Sequence, residues 1–208
     1  MGYWPNNVDT ASLERLGPWF DLFVGTDGRV SDLFAAYTTH GARKIVLCAG
    51  ATLSADLTIA ASDVFIWSPF SPLSLNLGAK KITVTGSRVH LAGFRLDGAG
   101  AGIVIDTSGE SWFERVGVQN ATSHGIHLLS SLNDVVLDRC RLFQNGGDGL
   151  RLTVGNHARM HNSLSYGNTG YGVNDLTNSS ILVGNRIAAN TAGQINGTPS
   201  VNTGNKTT

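Results

Sequence analysis

Five short phrases in this chain recur in one phase. Gly-apolar-x-apolar appears as Gly102-Ile103-Val104-Ile105, Gly125-Ile126-His127-Leu128 and Gly149-Leu150-Arg151-Leu152, then loosens to Gly172-Val173-Asn174-Asp175 and Gly193-Gln194-Ile195. The steps between the glycines are 23, 24, 23 and 21 residues. Asn145, Asn168 and Asn190 stand before the last three glycines at steps of 23 and 22, and Val116 and Val118 precede Cys140 and Leu142 by 24. A repeat of this length is the mark of a chain that winds into stacked coils. Each unit reads as two or three short strands of alternating polarity, with Gly, Asn or Ser at the bends. One unit cannot bury its apolar row alone. Stacked on its counterpart about 4.8 Å away, it can. The expectation is an all-β parallel solenoid of about seven coils of ~23 residues.

The phase also sets side chains on one another. Ile103, Ile126, Leu150 and Val173 form one inward row, Ile105, Leu128 and Leu152 a second, and Phe113, Leu137, Met160 and Leu182 a third. Asn145, Asn168 and Asn190 are expected to share side-chain hydrogen bonds as a ladder at one bend, in the left-handed backbone that Asn tolerates. Cys48 and Cys140 are 92 residues apart, about four coils. That is roughly 19 Å, far outside the ~4.4–6.8 Å Cα window of a disulfide, so both are expected as buried thiols and the redox compartment stays unread. Earlier strands are expected at 44–48, 63–67, 81–84 and 89–91. Ahead of them Ser31 is expected to N-cap a short helix, with Leu33, Phe34 and Tyr37 on one face and Gly41 as its stop. Such a helix would cap the open solenoid end.

At 41% hydrophobic residues, 208 residues can bury one sizeable core, which excludes disorder throughout. Fifteen basic and fifteen acidic side chains cancel, so no bulk field attracts nucleic acid or an anionic membrane. No apolar run reaches the ~18 residues of a membrane helix, and the opening MGYWPNNVDTASL lacks a signal-peptide stretch, so a soluble chain is expected. Two segments fall outside the coils of residues 22–195. Residues 1–21 carry Tyr3, Trp4, Trp19 and Phe20, an aromatic arm that either folds back or docks a neighbouring subunit. Residues 196–208 form a polar tail whose one apolar side chain larger than alanine is Val201. It reads as a linker, a disordered end, or a strand that orders against another chain.

Two columns bear on chemistry. His124, Asp148 and Tyr171 directly precede their glycines, and His127, Arg151 and Asn174 lie two residues after them. Together they make an outward polar patch suited to a glycan, and equally the polar face any solenoid turns to water. In the second column Glu114, Asp138 and His161 each follow an inward residue. Adjacent coils set the two carboxyl carbons about 5 Å apart, near the separation in retaining glycosidases. Arg115 and Arg139 follow them directly, which makes a neutralised charge ladder the alternative.

The run GTDGRVSDLFAAYTTHGARKIVLCAGATLSADLTI, followed by DVFIWSPFS and then ~23-residue coils, resembles the pectate-lyase-like superfamily of right-handed β-helices over roughly residues 22–195. Its D-G, short helix and strand ending in A-G are similar to the capped start of bacteriophage members. The resemblance implies a right-handed parallel β-helix with an N-terminal capping helix. It leaves activity open, since the superfamily includes lyases, glycosidases and non-enzymatic virion proteins. Polygalacturonase-like members carry N-T-D, D-D and G-H-G on successive coils. Here the nearest matches, Gly147-Asp148-Gly149 and Ser123-His124-Gly125, run in the opposite order and the second Asp is missing. Calcium-dependent lyases need several clustered carboxylates, and three do not assemble in one column.

The expected function is therefore a non-enzymatic phage virion structural protein: a capsid decoration, turret or spike, exposed on the particle, without metal or cofactor. The expected partners are two further copies in a homotrimer and other virion proteins, met through the β-helix flank, the arm (Tyr3, Trp4, Trp19, Phe20) and the tail (Val201). Self-association is expected because Ser163, Ser165 and Asn185 stand where Cys140, Leu142 and Val116 stood earlier, so the polar C-terminal end would fray alone. The alternatives are a polysaccharide depolymerase using Glu114 and Asp138, and a module that binds host surface polysaccharide through His124, His127, Asp148, Arg151, Tyr171 and Asn174.

Overall fold

A computed structural model describes residues 20–26, 30–69, 73–98, 102–105, 110–129, 134–153 and 157–208; Tyr3, Trp4 and Trp19 of the expected arm lie outside them. Every named strand pairs in parallel with its counterpart one coil away, in three sheets. Sheet A has nine strands, from Leu22–Val24 to Val201–Thr203. Sheets B and C have seven each, running from Leu73–Asn76 to Lys206–Thr207 and from Leu57–Ile59 to Gly193–Asn196. From Val89 onward each coil visits A, then B, then C. Among the described residues no helix is long and apolar enough to cross a membrane.

The inward rows follow the sequence phase. Ile103, Ile126, Leu150 and Val173 are paired in register in sheet C, and Phe113, Leu137, Met160 and Leu182 in sheet A, all essentially buried. Alternation along these three- to five-residue strands turns the residues between them outward. One continuous apolar core runs from Val24 to Ile187. Cys140 stands in it and Cys48 in a small separate cluster with Val46, both as buried free thiols.

The bends are built differently from the expectation. Between sheets A and B a single left-handed residue turns each coil: Gly93, Arg115, Arg139, Asn162, Gly184 and Gly204, with φ between +48° and +76°. Between B and C the same role falls to Asn120, Gln144, Gly167 and Ala189. Asn145, Asn168 and Asn190 are each the next residue and do not have positive φ. The left-handed residue swings the chain so that the Asn after it points inside the bend, where its side chain meets the next coil.

The helix is Leu33–Thr38, and its N-cap is Asp32 rather than Ser31. The Asp32 carboxylate accepts from the Phe34 and Ala35 amides, 3.3 Å each, and from the amide and hydroxyl of Ser54 one coil on. A carboxylate with two oxygens can cap the helix and tie it to the solenoid at once, which a single hydroxyl does less well. Burial pushes its pKa up, but the Ser54 and helix hydrogen bonds outweigh that and hold it below the usual carboxylate range. Leu33, Ala36 and Tyr37 are the buried helical residues, and the Tyr37 hydroxyl accepts the Ala61 amide at 2.8 Å.

Two further corrections concern the C-terminal end. Ser163, Ser165 and Asn185 are buried and hydrogen-bonded. Asn205 Oδ1 accepts the Asn185 amide, Asn185 Oδ1 the Ser163 amide and Ser163 Oγ the Cys140 amide, at 2.8–2.9 Å. Residues 196–208 are not a tail outside the coils. Val201–Thr203 pairs with Ile181–Val183 and Lys206–Thr207 with Arg186–Ala188, which makes this segment the last coil. It needs few apolar residues because Asn205 also donates to the Leu182 carbonyl at 2.8 Å, fastening the coil by side-chain hydrogen bonds.

Candidate functional site

On sheet C the outward column runs in register through His127, Arg151, Asn174 and Asn196. The flanking residues Ile126, Leu128, Leu150 and Leu152 take the inward positions, so alternation alone aims this column out. The column just before the glycines does not face outward as a whole. Asp148 is only 3% exposed, because donors from the next coil draw it in. Its carboxylate accepts from the Tyr171 amide at 2.7 Å, from Asn174 Nδ2 at 2.8 Å and from Arg151 Nη1 at 3.5 Å.

That arrangement also bears on His124. The Asp148 amide donates to His124 Nδ1 at 2.9 Å, and Arg151 Nη1 approaches His124 Nε2 at 3.4 Å. Burial lowers the His124 pKa, and Arg151 adds to the effect against the opposing pull of Asp148. His127 packs edge-on against it, ring centroids 5.1 Å apart, and places Nε2 2.6 Å from Thr153 Oγ1. Burial first, then His124 and Arg151, bring its pKa down to about 4. At neutral pH both rings are uncharged. The patch offers neutral donors beside one guanidinium, and its one carboxylate is already occupied. This suits contact with hydroxyl-rich ligands better than proton transfer.

The acid column is also paired. Glu114, Asp138 and His161 are neighbours in register on sheet A. Arg139 spans the two carboxylates, with Nη2 3.0 Å from Glu114 Oε1 and Nε 2.8 Å from Asp138 Oδ2. Arg115 adds a contact to Glu114 at 3.3 Å. The arginines reach back because each is the left-handed residue directly after its carboxylate. The geometry is that of a charge ladder. Among the described residues no three His, Cys, Asp or Glu side chains converge as a metal site requires.

A third feature has no counterpart among the sequence expectations. The other outward column of sheet A runs Phe65, His90, Trp112, Val136, Arg159, Ile181 and Val201 in register. Phe20 of the expected arm lies over its N-terminal end, stacked on Trp67 at 5.7 Å and on Phe65 at 6.1 Å. Trp112 and Val201 are 37% and 41% exposed. The phase that sets the inward rows also sets this stripe, at the positions between them.

A family model described as a right handed beta helix region matches residues 59–206. The chain belongs to that family. No curated protein and no solved structure matches it. The matched span takes in both polar columns, most of the apolar stripe and nearly all of the last coil, so this right-handed β-helix runs well past residue 195. A β-helix is a scaffold shared by many activities, and the reading of function has to come from the faces it displays.

Proposed function

We propose that this β-helix is a non-enzymatic structural module that assembles with copies of itself, as a homotrimer on a phage virion surface. The apolar stripe on sheet A carries the reading. An outward face of a solitary solenoid is expected to be polar, whereas here Trp112 and Val136, and beyond the Arg159–Asp134 ion pair Ile181 and Val201, turn apolar surface outward with the charge ladder beside them. An apolar strip with a charged rim is the make-up of a protein interface. Three such straight faces can meet around one axis and close into a ring, whereas coils stacked end to end would build an open filament. The virion setting is supported by the similarity of the capped start to phage proteins, and the pairing of Glu114 and Asp138 through Arg139 favours this reading over a depolymerase.

Light scattering across a dilution series tests it. The expected mass is three times the chain's 21.9 kDa, and Trp112→Glu is expected to yield a monomer with an unchanged circular dichroism spectrum. A wild-type monomer at micromolar concentration overturns the proposal. A second reading, glycan recognition, is favoured by the half-buried Arg151 guanidinium beside the His124 and His127 rings on sheet C. Its test is glycan binding that is lost in Arg151→Ala.

A further inference from the structure

Sheet B displays a basic column that neither polar patch includes. Its outward positions run Arg95, Gly117, Arg141, Leu164, Arg186 and Lys206 in register. Gly117 interrupts it. A Cβ there would stand 2.9 Å from Arg95 Cγ and 3.3 Å from Arg95 Cβ, so the stem of Arg95 lies across the glycine, on the coil next to that of Arg141. The result is a groove of about 210 Å³ lined by four arginines, 95, 115, 139 and 141, with Phe143 as an apolar wall.

The four charges are not alike. Arg115 and Arg139 are bound to Glu114 and Asp138 at the neighbouring bend. Arg95 and Arg141 make no ion pair among the described residues, and Arg95 Nε is covered without an acceptor. The carboxylate of Asp97, two residues along the same strand, is taken by the side-chain amides of Gln119 and Asn120. A covered guanidinium N–H with nothing to bond is costly, and two like charges at one opening repel. An anion seated between the two guanidinium groups relieves that repulsion.

We propose that this notch binds a phosphate group, either free or terminal on a saccharide. Two unpaired guanidinium groups offer two charges and flat forks of N–H donors. A phosphate monoester brings about −1.5 to −2 charge at neutral pH and three acceptor oxygens, whereas a carboxylate cancels only one charge. Phe143 supplies the flat apolar wall on which a sugar ring would rest. Its unpaired arginines, Arg95 and Arg141, lie on sheet B, while Arg115 and Arg139 on its other side belong to the charge ladder at the A–B bend.

Nitrogen NMR of the arginine Nε–H groups in the full chain tests this, with inorganic phosphate as the first probe and glucose 6-phosphate as the second, at ionic strength balanced with chloride. Saturable shifts at Arg95 and Arg141 are expected. Arg141→Gln, at an exposed position, should weaken binding about tenfold or more while leaving the amide spectrum in place. Gly117→Ala should do the same by displacing the Arg95 stem. Tighter binding of glucose 6-phosphate than of phosphate assigns the ligand to a saccharide; equal binding assigns it to free phosphate. Shifts that do not saturate, that chloride reproduces, or that survive Arg141→Gln undiminished overturn the proposal.

Discussion

At the bend between sheets A and B, one residue per coil sits inside the turn: Val116, then Cys140, Ser163, Asn185 and Asn205. Up to Cys140 the position is filled by apolar bulk. Beyond it the position is filled by a side chain that accepts the backbone N–H of the coil before. Cys140 joins the two regimes. Its amide donates to Ser163 Oγ, while its thiol donates to the Phe113 carbonyl at 3.1 Å. Burial pushes that thiol up to about 12, which keeps it protonated. The bend between B and C does the same with Asn145, Asn168 and Asn190, where the Nδ2 of Asn145 and of Asn168 also donates to the next Oδ1 at 2.8–2.9 Å. A coil can therefore be held either by removing surface from water or by spending its polar groups on its neighbour. The second way also fixes register, because a donor and an acceptor meet at only one offset.

The widest break in this comparison is Asn168→Ala. Asn168 is fully buried and hydrogen-bonds to both neighbouring coils. Its loss leaves several buried groups unpaired and is expected to cost about 4 kcal/mol in urea denaturation. Leu142→Ala, one coil earlier in the apolar regime, should cost about 3 kcal/mol by opening a cavity. An Asn168→Ala loss below about 1 kcal/mol would erase the distinction between the two regimes.

A smaller effect comes from the histidines that lean on the ladder region. The His127 ring in the fold stays neutral down to about 4, against 6.5 for the ordinary group. Between those values the unfolded chain binds more protons, so stability is complete above 6.5 and declines as pH falls toward 4. His127→Asn should flatten thermal melts over that window by about 1 kcal/mol or less, since partial exposure screens the ring. The smallest change is Ala189→Gly. Ala189 holds φ at +52° with a side chain that disfavours it. Glycine there should raise stability by up to about 1 kcal/mol, read from the denaturation midpoint.

What the sequence disclosed depended on which force places a residue. The rows through Ile126 and Leu137 were legible because apolar side chains at period two must turn inward on a strand. The left-handed bends at Arg115, Arg139, Gln144 and Ala189 were not, since none of these is a turn-former by composition. Stacking imposes the conformation on whichever residue falls there. Asp148 was expected outward from its spacing alone, yet the Tyr171 amide and Asn174 amide group one coil on decide its direction. Residues 196–208 read as a tail because they carry little apolar surface to bury; Asn205 holds them by hydrogen bonds that hydropathy does not register.

The last rung of the B–C ladder ends in a plug. Asn190 Nδ2, which by pattern would reach an Asn in a following coil, donates instead to Gln194 Oε1 at 2.9 Å, four residues further along. An Asn from a further coil could join this ladder only by displacing Gln194 Oε1. The ladder thus closes on its own chain at this bend, while sheets A and B go on one strand further, to Val201–Thr203 and Lys206–Thr207.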